Sequence, residues 1–74
     1  MDRKSIKEWA LCLEETVYRN CSESAPDEDK IAMAKDIIKK SVMWDYLGTD
    51  MAAIAEDMNC YYTCAAIEEI LKEK

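Results

Sequence analysis

Gly48 and Pro26 are the only glycine and the only proline in this chain of 74 residues, and that scarcity constrains the fold more than any other feature. Tight turns between strands draw heavily on those two residue types, whereas helix interiors exclude them. The stretches between are rich in Ala, Glu, Lys, Ile and Met, a mixture that favours helix. No segment alternates apolar with polar side chains as a half-buried strand does. The sequence therefore predicts an all-α fold, a compact bundle of four short helices forming a single helical domain over residues 1–74. So short a chain has room for one modest core, and burial outweighs chain entropy by a thin margin.

The apolar spacing divides the chain. From Ser5 to about Arg19, Ile6, Trp9, Ala10, Leu13 and Val17 recur on one helical face. Asn20 to Ser24 break that period, and Ser24-Ala-Pro-Asp27 reads as an N-cap followed by a second helix. Ile31, Ala34, Ile38 and Val42 form its inward stripe, Asp27, Glu28 and Asp29 sit at the positive end of its dipole, and it is expected to run to Trp44 or Leu47. Gly48 is expected to stop it, with Thr49 or Asp50 capping a short third helix whose inward face is Met51, Ile54, Ala55 and Met58. Asn59 tolerates the left-handed conformation that ends such a helix. A last helix begins near Tyr61, with Cys64, Ile67, Ile70 and Leu71 inward and Glu68, Glu69 and Lys72 outward.

Net charge is −6, a field that repels polyanions and makes nucleic acid and anionic membranes poor default partners. A protein partner with a basic surface suits it better. The amino terminus is charged and lacks an apolar run of signal-peptide or membrane-spanning length, so a cytoplasmic location without membrane insertion is expected.

Four cysteines, Cys12, Cys21, Cys60 and Cys64, raise the questions of zinc and disulfides. Eight residues separate the first pair and the second spans a helical turn, neither of which is the tight-loop spacing of structural zinc sites. Disulfides call for an oxidising compartment. The preferred reading makes Cys60 and Cys64 small apolar fillers facing the same way as Ile67 and Leu71, with Cys12 off the core stripe. Histidine is absent, which removes the commonest general base and the usual partner of a nucleophilic serine or cysteine. The adjacent carboxylates Glu14 and Glu15, Glu56 and Asp57, and Glu68 and Glu69 read as solvated pairs on polar faces. With no phosphate loop, no cofactor motif and no metal-ligand set, a non-enzymatic role is expected.

The segment Ile54-Ala55-Glu56-Asp57-Met58-Asn59-Cys60-Tyr61-Tyr62-Thr63 resembles the core of the helix-turn-helix motif. Ala55 takes the place of the small residue at the helix crossing, Met58 the apolar position, Asn59 the turn residue and Cys60 the apolar residue that follows. The resemblance spans residues 49–71. It implies a tri-helical C-terminal pair and a DNA-binding regulator in which Tyr61, Tyr62 and Thr63 lead the recognition helix. Against that role, Glu68, Glu69 and Glu73 stand where phosphate-contacting Arg or Lys belongs.

Several large side chains remain after the core stripes are assigned: Leu11 and Tyr18, Met33, Ile37 and Trp44, and Tyr46, Tyr61 and Tyr62. Aromatic and Met side chains rimmed by charge are typical of protein interfaces, and self-association stabilises small domains. The leading expectation is a protein-interaction module, also forming a homodimer, whose interface comprises Trp44, Tyr46, Tyr61, Tyr62, Glu56, Asp57, Glu68, Glu69 and Glu73. In size and charge the chain is similar to small acidic inhibitors of phages and mobile elements, including anti-CRISPR proteins. That likeness implies carboxylates displayed in place of phosphates.

Overall fold

The computed structural model describes residues 2–73 and contains four α-helices, α1 Arg3–Asn20, α2 Asp27–Lys39, α3 Thr49–Asp57 and α4 Tyr61–Glu73, with a 3₁₀ turn Val42–Tyr46 between α2 and α3. The all-α bundle predicted from the apolar spacing is the observed fold. Asp2 caps α1, its carboxylate accepting from the Ser5 N–H at 2.8 Å. At the other end Cys21 turns extended and the Asn20 amide donates to the Thr16 carbonyl at 2.7 Å.

The start of α2 differs from expectation. Ser24 does not cap it; the Ser24 hydroxyl pairs with that of Ser22 at 2.9 Å, and Pro26 occupies the cap position with its carbonyl receiving Asp29 and Lys30 N–H. Proline has a φ suited to that place, and the three acids behind it face the positive end of the helix dipole.

The end of α2 differs too. The helix stops at Lys39 because Ser41 offers the backbone a competing arrangement, its hydroxyl donating to the Ile38 carbonyl at 2.9 Å and accepting from the Met43 N–H at 3.2 Å. The chain re-forms as the 3₁₀ turn, and the change of pitch swaps two residues. Val42, expected in the core, is 74 % exposed, while Met43 is buried at 4 %. Gly48 is extended and serves as the backbone N-cap of α3, its carbonyl receiving the Met51 and Ala52 N–H groups; Thr49 is already helical.

One core is shared by all four helices. Ala10 and Val17 of α1, Ala34 and Ile38 of α2, Ala55 of α3, and Ala66, Ile67 and Ile70 of α4 have no exposed surface. Each fully buried isoleucine contributes ~1.5–3 kcal/mol of transfer free energy, and the interleaved alanines let the helices approach closely. Helices α1 and α4 each pack against the other three, α4 the more extensively. No helix among the described residues is long and apolar enough to cross a membrane.

Candidate functional site

The junction of α3 and α4 is built on one left-handed residue. Asn59 has φ 60°, and around it the Asn59 N–H donates to the Glu56 carbonyl at 3.0 Å and the Cys60 N–H to the Ala55 carbonyl at 2.9 Å. This paired closure is a Schellman motif, with buried Cys60 and Ala55 as its apolar contact. It sets the last turn of α3 and the first turn of α4 at a fixed offset, as the Asn59 spacing predicts.

The first turn of α4 carries no Ser, Thr, Asp or Asn at its cap position, which Cys60 occupies. Its orphan N–H groups are met from the far end of the chain. Glu14 of α1 is only 6 % exposed; its Oε2 accepts from the Tyr62 N–H at 3.2 Å, and its Oε1 accepts from the Thr63 N–H at 2.9 Å and the Thr63 hydroxyl at 3.0 Å. A carboxylate facing a helix N-terminus is favoured by both hydrogen bonding and the helix dipole. The expectation that Glu14 is a solvated surface acid is therefore corrected: it is a long-range helix cap. Its signal in the sequence is indirect, a final helix without a local cap and an acid at the edge of the first helix's core stripe.

Burial also relocates two residues placed on the recognition surface. Thr63 has no exposed surface and Tyr62 only 8 %, so neither presents a side chain to bases or a partner. The Tyr62 ring is held edge-on by Tyr18 at 5.6 Å and Tyr61 at 5.2 Å, its hydroxyl donates to Asp27 Oδ1 at 3.0 Å, and the Lys30 ammonium lies 5.3 Å from its centroid. Trp44 is half-buried against the core, whereas Tyr46 and Tyr61 stand 64 % and 60 % exposed.

The carboxylates fall into two sets. On one side of α4, Glu69 and Glu73 lie against α2: Lys35 Nζ is 2.7 Å from Glu73 and 3.5 Å from Glu69, and Lys39 is 3.7 Å from Glu73. The Lys35 hydrogen bond lowers the Glu73 pKa and raises that of Lys35. These two acids fasten α4 to α2 and do not continue one acidic array with the others. On the opposite side, Glu56, Asn59, Tyr61, Cys64, Ala65 and Glu68 line a groove of about 420 Å³ between α3 and α4. Neither Glu56 nor Glu68 forms an ion pair among the described residues, nor does Asp57 beside them.

Cys64 lies on the floor of this groove, its thiol 3.6 Å from Glu68 Oε1. Burial first, and then the nearby Glu68 carboxylate, push its pKa up to about 11. It is thus a neutral thiol at ordinary pH, a weak hydrogen-bond donor with little nucleophilic character. The four cysteines are free thiols, and among the described residues no group of three His, Cys, Asp or Glu side chains is arranged to hold a metal ion.

No protein-family model, no curated protein and no solved structure matches this chain.

Proposed function

We propose that this chain is a non-enzymatic protein-binding module that engages a basic partner through the acidic and aromatic groove at the α3–α4 turn. One observation carries the proposal: Tyr61, 60 % exposed, lines the same groove as Glu56 and Glu68, and neither acid has an ion-pair partner among the described residues. An exposed aromatic ring rimmed by unneutralised carboxylates supports recognition of cationic groups, and the net charge of −6 speeds encounter with a basic surface. The helix-turn-helix alternative has less support. The α4 N–H groups at Tyr62 and Thr63 are engaged by Glu14, leaving no phosphate site there. Self-association is part of the proposal, with the exposed Val42 and Tyr46 as its contact.

Paired titrations of the chain with a fluorescent arginine-rich peptide and with a DNA duplex, at low and high salt, test this reading. Sedimentation at two protein concentrations accompanies them. Saturable peptide binding without DNA retention is expected; DNA retention without peptide binding would reverse the assignment.

A further inference from the structure

The groove between α3 and α4 has more shape than an acidic patch. Its floor is Cys64, only 9 % exposed, and half-buried Ala65; its rims are Glu56 from the last turn of α3 and Glu68 from α4; Tyr61 and Asn59 complete the lining. A volume of about 420 Å³ falls within the range of small-ligand pockets. The parts are also held in place. Tyr61 meets Tyr62 edge-on at 5.2 Å and 80°, which steadies its plane, and Glu68 accepts from the Cys64 thiol. The Schellman closure around Asn59 sets the two acid-bearing helices relative to each other, so little ordering remains for a ligand to impose.

From this geometry we infer that the groove seats an arginine side chain presented by a basic segment of a partner protein, an inference that rests on the binding-module reading above. A guanidinium matches each part. It stacks on an aromatic face, bonds carboxylates through a planar fork, and is weakly enough hydrated to lie on an apolar floor. Lysine has the charge without the plane or the fork. Phosphate and other anions meet two carboxylates and no compensating cation, and the groove lacks a metal-ligand set. The chain's own Arg3 is exposed at the start of α1, so a second copy is the competing occupant.

The test is a fluorescence-anisotropy titration of a labelled oligo-arginine peptide, with oligo-lysine of equal length as comparison. The proteins are wild type, the double variant Glu56→Gln with Glu68→Gln, and a control of equal net charge, Glu8→Gln with Glu23→Gln, all checked for helicity by circular dichroism. The groove variant is expected to lose ~10-fold or more in affinity for oligo-arginine and the control less than ~3-fold, as separates a local charge contact from a diffuse field. Tyr61→Ala is expected to lose ~3- to 5-fold, the worth of an exposed cation–π contact, while Tyr61→Phe keeps the affinity.

Equal losses in the groove and control variants, or indistinguishable arginine and lysine peptides, would overturn the arginine seat and leave the binding-module reading standing. Failure to bind either peptide overturns both. Self-association abolished by Arg3→Ala assigns the groove to a second copy and overturns the inference in that way.

Discussion

Glu14 offers the sharpest test of how this fold is held. Glu14→Ala removes the acceptor of two buried N–H groups and one buried hydroxyl. Each orphaned buried donor costs ~1–3 kcal/mol; the Thr63 hydroxyl keeps the Ala10 carbonyl at 3.5 Å, so the two N–H groups carry most of the loss, several kcal/mol. Part is regained because the carboxylate no longer has to be stripped of water, a penalty that is itself several kcal/mol. A net loss of ~3 kcal/mol is expected from these opposing terms. A domain of this length is stable by only ~4–11 kcal/mol, so the substitution removes a large share. Glu14→Gln keeps one oxygen acceptor but loses the charge that faces the helix dipole, and ~1–1.5 kcal/mol is expected. Near the midpoint that corresponds to a fall in Tm of roughly 4–12 °C for a chain of this size. Its sequence neighbour supplies the control. Glu15 is exposed and, among the described residues, pairs only with Arg19, one helical turn away at 3.6 Å, so Glu15→Ala should cost less than ~0.5 kcal/mol. Urea denaturation followed by circular dichroism measures all three variants. If Glu14→Ala and Glu15→Ala agree to within ~0.5 kcal/mol, the carboxylate is not the cap of α4 and the reasoning fails.

Two further outcomes follow from the same geometry. The Glu73 pKa lies below its ordinary 4.5 and that of Lys35 above its ordinary 10.5, both chiefly through their shared hydrogen bond. The carboxylate's contribution is therefore present above the unfolded glutamate pKa and lost as pH falls through the lowered folded value. The lysine's contribution is present below the unfolded lysine pKa and lost as pH rises through the raised one. The Tm gap between wild type and Glu73→Gln should accordingly be open at neutral pH, close in acid and narrow with added salt; a gap that persists at low pH would contradict the pairing. At Asn59, with φ 60°, Asn59→Ala should lower stability by ~1–2 kcal/mol whereas Asn59→Gly is nearly neutral. Equal effects of the two in thermal denaturation would show that the left-handed turn is not what joins α3 to α4.

What could be read from the sequence was local and periodic. Ile6, Ala10, Leu13 and Val17 recur with the helical repeat and are all buried, as are Cys64, Ile67 and Ile70. Asn59 announced its turn because few residues accept that conformation. The break at Ser41 was harder to see, since a hydroxyl's choice between solvent and the backbone carries no periodic mark, and the misplacement of Val42 followed from it. Tyr62 and Glu14 depart from the periodic expectation for a different reason. They are each other's partners across 48 residues of chain, and no window of sequence holds both. The acidic groove was partly legible: Glu56, Glu68 and Tyr61 were recognisable as exposed, but the diversion of Glu69 and Glu73 to Lys35 depended on how α4 lies across α2.

Because α1 and α4 each touch the other three helices, the bundle is clamped by two elements drawn from opposite halves of the sequence. The cover over Ala10, Ala34, Ile38 and Ala55 is shared among the contacts that these two helices make with α2, α3 and each other. Loosening either one therefore loosens the whole bundle at once, as expected of a small cooperative domain.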